Sequence, residues 1–208
     1  MHRGRTILVF AKYPEPGRVK TRLEAVAGRE QAATLYRCWI GEVFSALQPL
    51  RGLAHLVCCF DGAPRASFAE WEHFVDDWWP QSPGDLGERL AAGFQLVLAG
   101  GGTGVAIGTD CLELDAALVG QAFDLLEDRD VVFGPTPDGG YYLVGMSADR
   151  RGVFASVRWS CPETLEDHLA RCREQGWSYG LLSARHDIDT WEDWLAYLKR
   201  TGGARSGQ

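Results

Sequence analysis

A dense group of cationic side chains follows the first apolar segment of the chain, at residues 6–11. Like charges this close repel one another, so an anionic ligand would compensate for them. A glycine-containing loop with free N–H groups and cationic side chains suits a polyphosphate. We therefore predict nucleotide contacts from Lys12, Gly17, Arg18, Lys20 and Arg22. The alternative is a solvated basic turn, and the signature of a Walker A loop is absent.

Acidic side chains occur at two places that a sheet could bring together. Asp110 follows a predicted strand at 105–107, and Asp187 and Asp189 precede the last predicted helix. Magnesium takes one or two carboxylates, keeps several waters and draws its other ligands from substrate phosphates. We therefore predict that these three aspartates bind Mg²⁺ or Mn²⁺. The alternative is that Asp110 caps the next turn and that Thr190 caps the last helix.

The motif Asp-Gly-Gly-Tyr-Tyr at residues 138–142 lies between two predicted strands. Its glycines allow a backbone to approach a ligand closely, and its carboxylate could position an acceptor, act as a base or assist the metal. We predict that Asp138 and Lys20 act in catalysis. We predict that the acceptor is bound by Gly139, Gly140 and Tyr141. A hairpin turn of the Asp-Gly type is the alternative interpretation.

A second glycine motif, at residues 84–89, begins a predicted helix. Free N–H groups at a helix start can hold a base edge or a ribose, and a nearby arginine can reach a phosphate. We therefore add Gly84, Asp85 and Arg89 to the predicted nucleotide site. An ordinary N-cap role for Asp85 is the alternative.

These motifs lie at the ends of apolar segments that alternate between strand and helix spacing. Strands are predicted at 6–11, 54–60, 74–75, 105–107, 131–133, 141–144 and 178–182, with a turn at 78–80. Helices are predicted at 29–47, 86–98, 115–126, 190–199 and from Ser160. The alternation predicts an α/β fold, a Rossmann-like single domain over 1–200 whose mainly parallel sheet has helices on both faces. Residues 201–208 are predicted to be a disordered tail.

The composition limits the classes of partner and compartment. The 208 residues carry a formal net charge of −7, which argues against nonspecific binding to nucleic acid or to anionic membranes. The six cysteines form no Cys-x-x-Cys pair, so we expect free thiols in a reducing, cytoplasmic compartment. We find no signal peptide and no segment long enough to span a membrane. The oligomeric state stays open.

In this order, the motifs resemble those of the nucleotide-diphospho-sugar transferase superfamily with the GT-A fold. Within it, the chain is most similar to a small bacterial family of glycosyltransferases associated with radical-SAM and arsenosugar gene clusters. The matching stretches are FAKYPEPGRVKTRL (10–23), GDLGERL (84–90), GTDCLEL (108–114), GPTPDGGYYLVG (134–145), WSCPET (159–164) and DIDTWEDW (187–194). The resemblance implies that Asp110 is the metal-binding aspartate and that Asp187 or Asp189 completes the metal site.

We predict glycosyl transfer from a nucleotide-sugar to a small acceptor, the function that the resemblance favours, and two alternatives stay open. The basic loop favours nucleotidyl transfer, in which a phosphorylated small molecule attacks a nucleoside triphosphate and releases pyrophosphate. The third possibility is a nucleotide-binding module without turnover.

Overall fold

Strands and helices alternate along the computed structural model, which describes residues 4–202. The strands are β1 (Arg5–Lys12), β2 (His55–Asp61), β3 (Asp77–Pro80), β4 (Thr103–Ile107), β5 (Val131–Pro135), β6 (Tyr141–Met146) and β7 (Tyr179–Leu181). The helices are α1 (Thr21–Ala27), α2 (Arg29–Leu47), α3 (Leu86–Ala99), α4 (Ala116–Leu125), α5 (Thr164–Glu174) and α6 (Trp191–Gly202). Short 3₁₀ segments span Gln48–Leu50, Arg65–Phe74 and Arg151–Phe154.

The seven strands form one sheet in the order β3-β2-β1-β4-β6-β5-β7. Strands β1 to β4 are parallel neighbours, and β7 runs parallel to β5. Only β6, within the described residues, is antiparallel, and it pairs with β4 on one side and β5 on the other. The carboxyl ends of β1, β2, β3, β4 and β5 therefore meet at one edge, where β6 also begins with Tyr141. The predicted mainly parallel sheet is confirmed.

Both faces of the sheet are covered, which explains why the central strands are almost continuously apolar. In β1, Ile7 and Val9 enter the core beneath α2, α4 and α6, while Leu8 enters the core beneath α3 and α5. Cys58 and Cys59 likewise divide between the two cores, as strand alternation predicts. Within residues 4–202, no helix combines the length and the apolarity that a membrane span requires.

Three helices begin at the caps that their sequences predict. The Asp85 side chain accepts the Glu88 N–H at the start of α3, and the Glu88 carboxylate accepts the Asp85 N–H in return. Asp115 accepts the Leu118 N–H at α4. Thr190 and Asp193 exchange hydrogen bonds at α6. These caps fix where each helix starts relative to the sheet edge.

Two local predictions on the way to the sheet edge were wrong. Of the strand predicted at 74–75, Phe74 ends a 3₁₀ segment and Val75 lies between that segment and β3. The turn predicted at 78–80 is part of the edge strand β3. Trp78 and Trp79 behave as strand residues because they pack on opposite cores, and Pro80 is tolerated because it ends an edge strand. Helix α1 was not predicted.

The start of α5 and the end of α6 also differ from prediction. Helix α5 begins at Thr164 rather than at Ser160, whose φ of 57° is left-handed and incompatible with an N-cap. The Thr164 hydroxyl instead donates to the Arg158 carbonyl. Helix α6 continues through Gly202, so the first two residues of the predicted tail are helical, and 203–208 lie outside the described residues.

His168 lies fully buried on α5 and its protonation should govern part of the acid stability. Its Nδ1 is 2.9 Å from the Val153 carbonyl, and its ring contacts Trp159 and Tyr141. Burial lowers the pKa of His168 from 6.5 to about 4. Between pH 6.5 and about pH 4, the unfolded chain binds more protons at His168 than the folded protein does. The free energy of unfolding is therefore not reduced by this residue above pH 6.5, and it falls as the pH drops through this range.

We expect the free energy of unfolding to lose about 3 kcal/mol from this residue between neutral pH and pH values near 4. Urea unfolding across this range should show a shallower acid decline for His168→Leu than for the natural chain. Asp187 has a raised pKa of about 6 and therefore contributes a slope of opposite sign over much of this range. That slope is common to both proteins and cancels in their difference. Equal slopes for the two proteins would refute the assignment.

Candidate functional site

The loops after β1 and β4 and the segment before α6 line a cavity of about 280 Å³ at the carboxyl edge of the sheet. We call it the loop cavity. Its lining residues are Lys12, Arg18, Val19, Lys20, Thr21, Arg22, Tyr36, Asp110 and Asp189. Four cationic side chains against two carboxylates give the lining a net charge of +2, in a chain whose net charge is −7. Such a local reversal of charge favours a polyanionic ligand.

A second cavity, of about 440 Å³, shares Lys12, Tyr36 and Asp110 with the loop cavity. We call it the sheet-edge cavity. Most of its other walls are apolar or aromatic, and they also include three predicted ligand contacts: Gly84, Arg89 and Tyr141. A cleft with an apolar body and a few polar groups is typical of a small-molecule site. The two cavities together offer a charged compartment beside a less polar one.

The ammonium group of Lys20 connects the three segments that line the loop cavity. Its Nζ lies 2.8 Å from Asp110 Oδ1 and 3.1 Å from Asp189 Oδ1, and it donates to the Ile188 carbonyl at 2.7 Å. The side chain is 8% exposed. Burial alone lowers the pKa of Lys20, but the carboxylates of Asp110 and Asp189 outweigh it, and the net pKa is raised. Lys20 is therefore a permanent cation at this position.

Backbone geometry explains how these distant residues meet. Lys20 has a left-handed φ of 48° immediately before α1, which turns its side chain out of the helix direction. The Ile188 N–H donates to the Asp110 carbonyl at 3.0 Å, so the segment 187–189 is tied to the end of β4. Arg22 Nη1 then reaches Asp189 Oδ2 at 3.3 Å. The predicted basic loop and the predicted acidic residues thus form one site.

Asp187 adds a further carboxylate in electrostatic range of Asp110, Asp189 and Asp138. Its pKa is raised to about 6, first by burial and then by the negative charges of Asp138, Asp189 and Asp110. The negative charges of these three carboxylates therefore disfavour the ionisation of Asp187. A hard divalent cation, which prefers oxygen ligands, would offset those charges.

The residues present fit a magnesium or manganese ion. Within residues 4–202 no three acidic, histidine or cysteine side chains are already arranged around one metal position. Magnesium does not need three, because it takes one or two carboxylates and fills its remaining positions with water and phosphate oxygens. Asp110 and Asp189 converge on a common point, since both contact the same Lys20 nitrogen. That convergence satisfies the requirement for two carboxylates.

Asp138 is held rigidly in the turn between β5 and β6. Its Oδ1 accepts hydrogen bonds from the Thr136 hydroxyl and from the Gly140 N–H. The hairpin turn that was the alternative interpretation is therefore present, and it also brings the carboxylate into the electrostatic range of Asp187. Gly139 faces the carbonyl of Pro162 rather than open space. Its glycine character serves packing against the segment before α5.

We expect Gly139→Ala to destabilise the fold by about 2–4 kcal/mol, because it combines a left-handed backbone with a backbone clash. The φ of Gly139 is +91°, and a Cβ there would overlap the Pro162 carbonyl. Gly176→Ala is the matched control, since Gly176 has a φ of +66° but open space around it. Urea unfolding should give the control only the left-handed penalty of about 1–2 kcal/mol. Equal losses would contradict the proposed contact.

Arg89 organises the loop that begins α3. Its Nε donates to the Gly84 carbonyl at 3.0 Å, and its Nη1 donates to Asp61 Oδ2 at 2.8 Å and to Gln81 Oε1 at 3.1 Å. The amide of Gln81 in turn donates to the Cys59 carbonyl at 2.7 Å. The Nε and Nη1 groups of Arg89 therefore already donate to protein oxygens, and the main effect of Arg89 is to hold this loop in its conformation.

The remaining predicted nucleotide contacts, Gly17, Asp85 and Arg18, differ in their local roles. Gly17 has a φ of +80° and supplies a turn in the loop after β1. Asp85 uses its side chain to cap α3. Arg18 pairs with Glu15 at 3.2 Å and lines the loop cavity.

Three residues at the site escaped the sequence-based prediction. Asp61 ends β2 and Gln81 follows β3. The rule that ligands bind beyond strand ends points to Asp61 directly. It would also have pointed to Gln81 if β3 had been predicted as a strand. Tyr36 sits within α2 at a position that its spacing marks as core. Its hydroxyl nevertheless bonds Thr109 Oγ1 at 2.8 Å and accepts the Lys12 N–H at 3.3 Å. Burial raises the pKa of Tyr36 to about 12, so it remains protonated.

Comparison with known proteins agrees with this architecture. Residues 45–161 match a family described as an uncharacterised protein conserved in bacteria, DUF2064. A crystal structure of a candidate nucleotide-diphospho-sugar transferase from Desulfovibrio desulfuricans is 30% identical, covers 95% of this chain and 87% of its own, and superimposes with a TM-score of 0.87. No curated protein shows a significant match.

Two more distant structures show the fold alone. A cytidylyltransferase from Leptospira borgpetersenii is 13% identical over 100% of this chain and 98% of its own, with a TM-score of 0.62. The Mycobacterium tuberculosis protein Rv0371c, solved in complex with manganese, is 16% identical over 96% of this chain and 100% of its own, with a TM-score of 0.58. The 30% identical neighbour from Desulfovibrio desulfuricans, named as a nucleotide-diphospho-sugar transferase, agrees with the sequence-based prediction of a transferase-class enzyme.

Proposed function

Because the chain belongs to the DUF2064 family and has the fold of the nucleotide-diphospho-sugar transferases, we propose that it is a metal-dependent transferase acting on a nucleotide. The observation that carries the proposal is the loop cavity, where four cationic side chains lie beside two converging carboxylates. Phosphates and a divalent cation need these two kinds of group side by side. The nucleotide phosphates would lie on the loop cavity, and the nucleoside would extend into the sheet-edge cavity.

Asp110 and Asp189 would hold the metal, with Asp187 as an additional carboxylate. A bound Mg²⁺ or Mn²⁺ would offset phosphate charge and stabilise the charge that develops on the leaving group. Lys12, Lys20 and Arg18 would contact the phosphates by charge-assisted hydrogen bonds.

The cationic lining of the loop cavity makes nucleotidyl transfer the favoured reaction. Its side chains have a net charge of +2, which the additional Asp187 carboxylate lowers to +1, and a divalent cation would add two positive charges. A nucleoside triphosphate carries more negative charge than this sum and the diphosphate of a nucleotide-sugar carries less, so only the triphosphate can pair with every cation. In this reaction, a phosphate oxygen of the acceptor bonds to the α-phosphorus while the bond to the α–β bridging oxygen breaks. Pyrophosphate leaves with the electron pair of that bond.

Glycosyl transfer is the second candidate, and the turn between β5 and β6 favours it. Asp138 lies near enough to Asp187 to raise its pKa, so this side of the site is acidic. Two carboxylates suit an acceptor hydroxyl, which one of them could deprotonate as it attacks the sugar, better than they suit an acceptor phosphate. The leaving group would then be a nucleoside diphosphate.

The two reactions release different products, which ³¹P NMR separates. We would incubate the protein with Mg²⁺ or Mn²⁺ and each nucleoside triphosphate, together with a set of phosphorylated small molecules. A parallel set would contain nucleotide-sugars with hydroxyl acceptors. Pyrophosphate would support nucleotidyl transfer, and a nucleoside diphosphate would support glycosyl transfer. Nucleotide binding without either product would indicate a binding module, and absence of nucleotide binding would overturn the proposal.

A further inference from the structure

The Lys20 ammonium occupies the point where a divalent cation would have to bind. It contacts Asp110 Oδ1 at 2.8 Å and Asp189 Oδ1 at 3.1 Å. A magnesium ion bound to the same two oxygens would lie about 2.1 Å from each of them. That position overlaps the space of the ammonium nitrogen, and two cations so close would repel each other strongly.

The other contacts of this site strengthen the hold of Lys20 on it. The Ile188 carbonyl accepts a hydrogen bond from the ammonium at 2.7 Å, and the Trp39 ring centroid lies 5.6 Å from the same nitrogen. The second oxygen of Asp189, Oδ2, is engaged by Arg22 at 3.3 Å. The carboxylates are thus already neutralised by the protein's own cations before any ligand arrives.

We propose that Lys20 keeps the metal site closed in the free protein, and that nucleotide phosphates open it by taking over the ammonium. This inference rests on the proposed nucleotide site. Lys20 borders the same cavity as Lys12 and Arg18, so its ammonium can exchange the carboxylates for phosphate oxygens without leaving that cavity. Asp110 and Asp189 then become available to the metal.

Thermodynamic linkage gives this exchange a measurable form. Nucleotide and metal raise each other's affinity by the same factor, but phosphates that ligate the metal produce such coupling in any case. The property specific to this proposal belongs to the nucleotide-free protein. Removing the Lys20 charge should make the metal bind without nucleotide, because it removes the competing cation.

The experiment measures Mn²⁺ binding to the nucleotide-free protein by the electron paramagnetic resonance signal of free Mn²⁺. We expect Lys20→Met to bind Mn²⁺ at least about 10-fold more tightly than the natural chain. Lys12→Met is the matched control, since Lys12 lines the same cavity and loses the same charge but is not the residue that bridges the two aspartates. Its affinity should change by less than about 3-fold.

Lys20→Gln provides a second variant that retains a donor for the Ile188 carbonyl, and circular dichroism verifies that each variant is folded. The inference is overturned if neither Lys20 variant binds Mn²⁺ more tightly than Lys12→Met does. If the natural chain then still lowers the free Mn²⁺ signal in the presence of a nucleoside triphosphate, relative to a protein-free sample with the same nucleotide, only this inference fails. If Mn²⁺ binds under neither condition, the proposed metal-dependent function fails with it.

Discussion

Asp110→Asn should lower turnover by at least about 100-fold, because it removes a carboxylate that would hold the catalytic cation. The asparagine side chain has nearly the same shape and keeps one oxygen, so the surrounding packing is preserved. It lacks the negative charge that a divalent cation requires. The measurement is the initial rate of whichever product, pyrophosphate or nucleoside diphosphate, the ³¹P assay detects.

The control for this prediction is Asp124→Asn, the same chemical change at a 73% exposed surface position. We expect it to retain full activity. Thermal unfolding should show that Asp110→Asn stays folded, since the Asp110 side chain is 43% exposed and Asp189 still contacts Lys20. A folded Asp110→Asn protein with more than a tenth of the natural activity would remove Asp110 from the metal site.

The elements that carry the site were predictable where local and global signals agree. Strand β1 is a short apolar run ended by prolines and glycine, and α2 has a regular apolar spacing over Arg29–Leu47. Asp85 is the N-cap of helix α3 because Asp85 and Glu88 have the residue types and spacing of a capping box. The rule that ligands bind beyond parallel strand ends then placed Lys12 and Asp110 at one edge.

The parts that escaped prediction depend on tertiary contacts. Helix α1 is seven residues long, which is too short for a stable isolated helix. It forms because Leu23 packs into the core. Tyr36 has the spacing of a core residue, and only the fold reveals that its hydroxyl reaches Thr109. The bridge from Lys20 to Asp110 and Asp189 joins three segments far apart in the chain.

This bridge changes the meaning of the basic loop. From the sequence, the loop is a group of equivalent cations that attract phosphate. In the structure the cations have different partners: Arg18 pairs with Glu15, Arg22 pairs with Asp189, and Lys20 joins two aspartates. Lys20 is the only one of these three whose side chain is nearly buried, at 8% exposure against 66% and 69% for the two arginines. Its loss should therefore have the largest effect on the ligand.

In the presence of saturating Mn²⁺, we expect Lys20→Met to weaken nucleoside triphosphate binding by about 10- to 150-fold. This factor corresponds to the loss of a charge-assisted hydrogen bond worth about 1.5–3 kcal/mol. Isothermal titration calorimetry with a nonhydrolysable triphosphate analogue measures the affinity directly. Lys199→Met, in the last turn of α6, removes the same charge outside the cavity linings and should leave the affinity unchanged.

The sign of this effect is opposite to the sign expected for the metal. A substitution that only disordered the site would weaken both Mn²⁺ and nucleotide. If Lys20 instead exchanges the carboxylates for phosphates, its loss should strengthen Mn²⁺ binding in the free protein and weaken nucleotide binding in the metal-loaded protein. Unchanged nucleotide affinity in Lys20→Met would mean that the ammonium stays on Asp110 and Asp189 throughout. In that case Lys20 would be a structural bridge rather than a phosphate ligand.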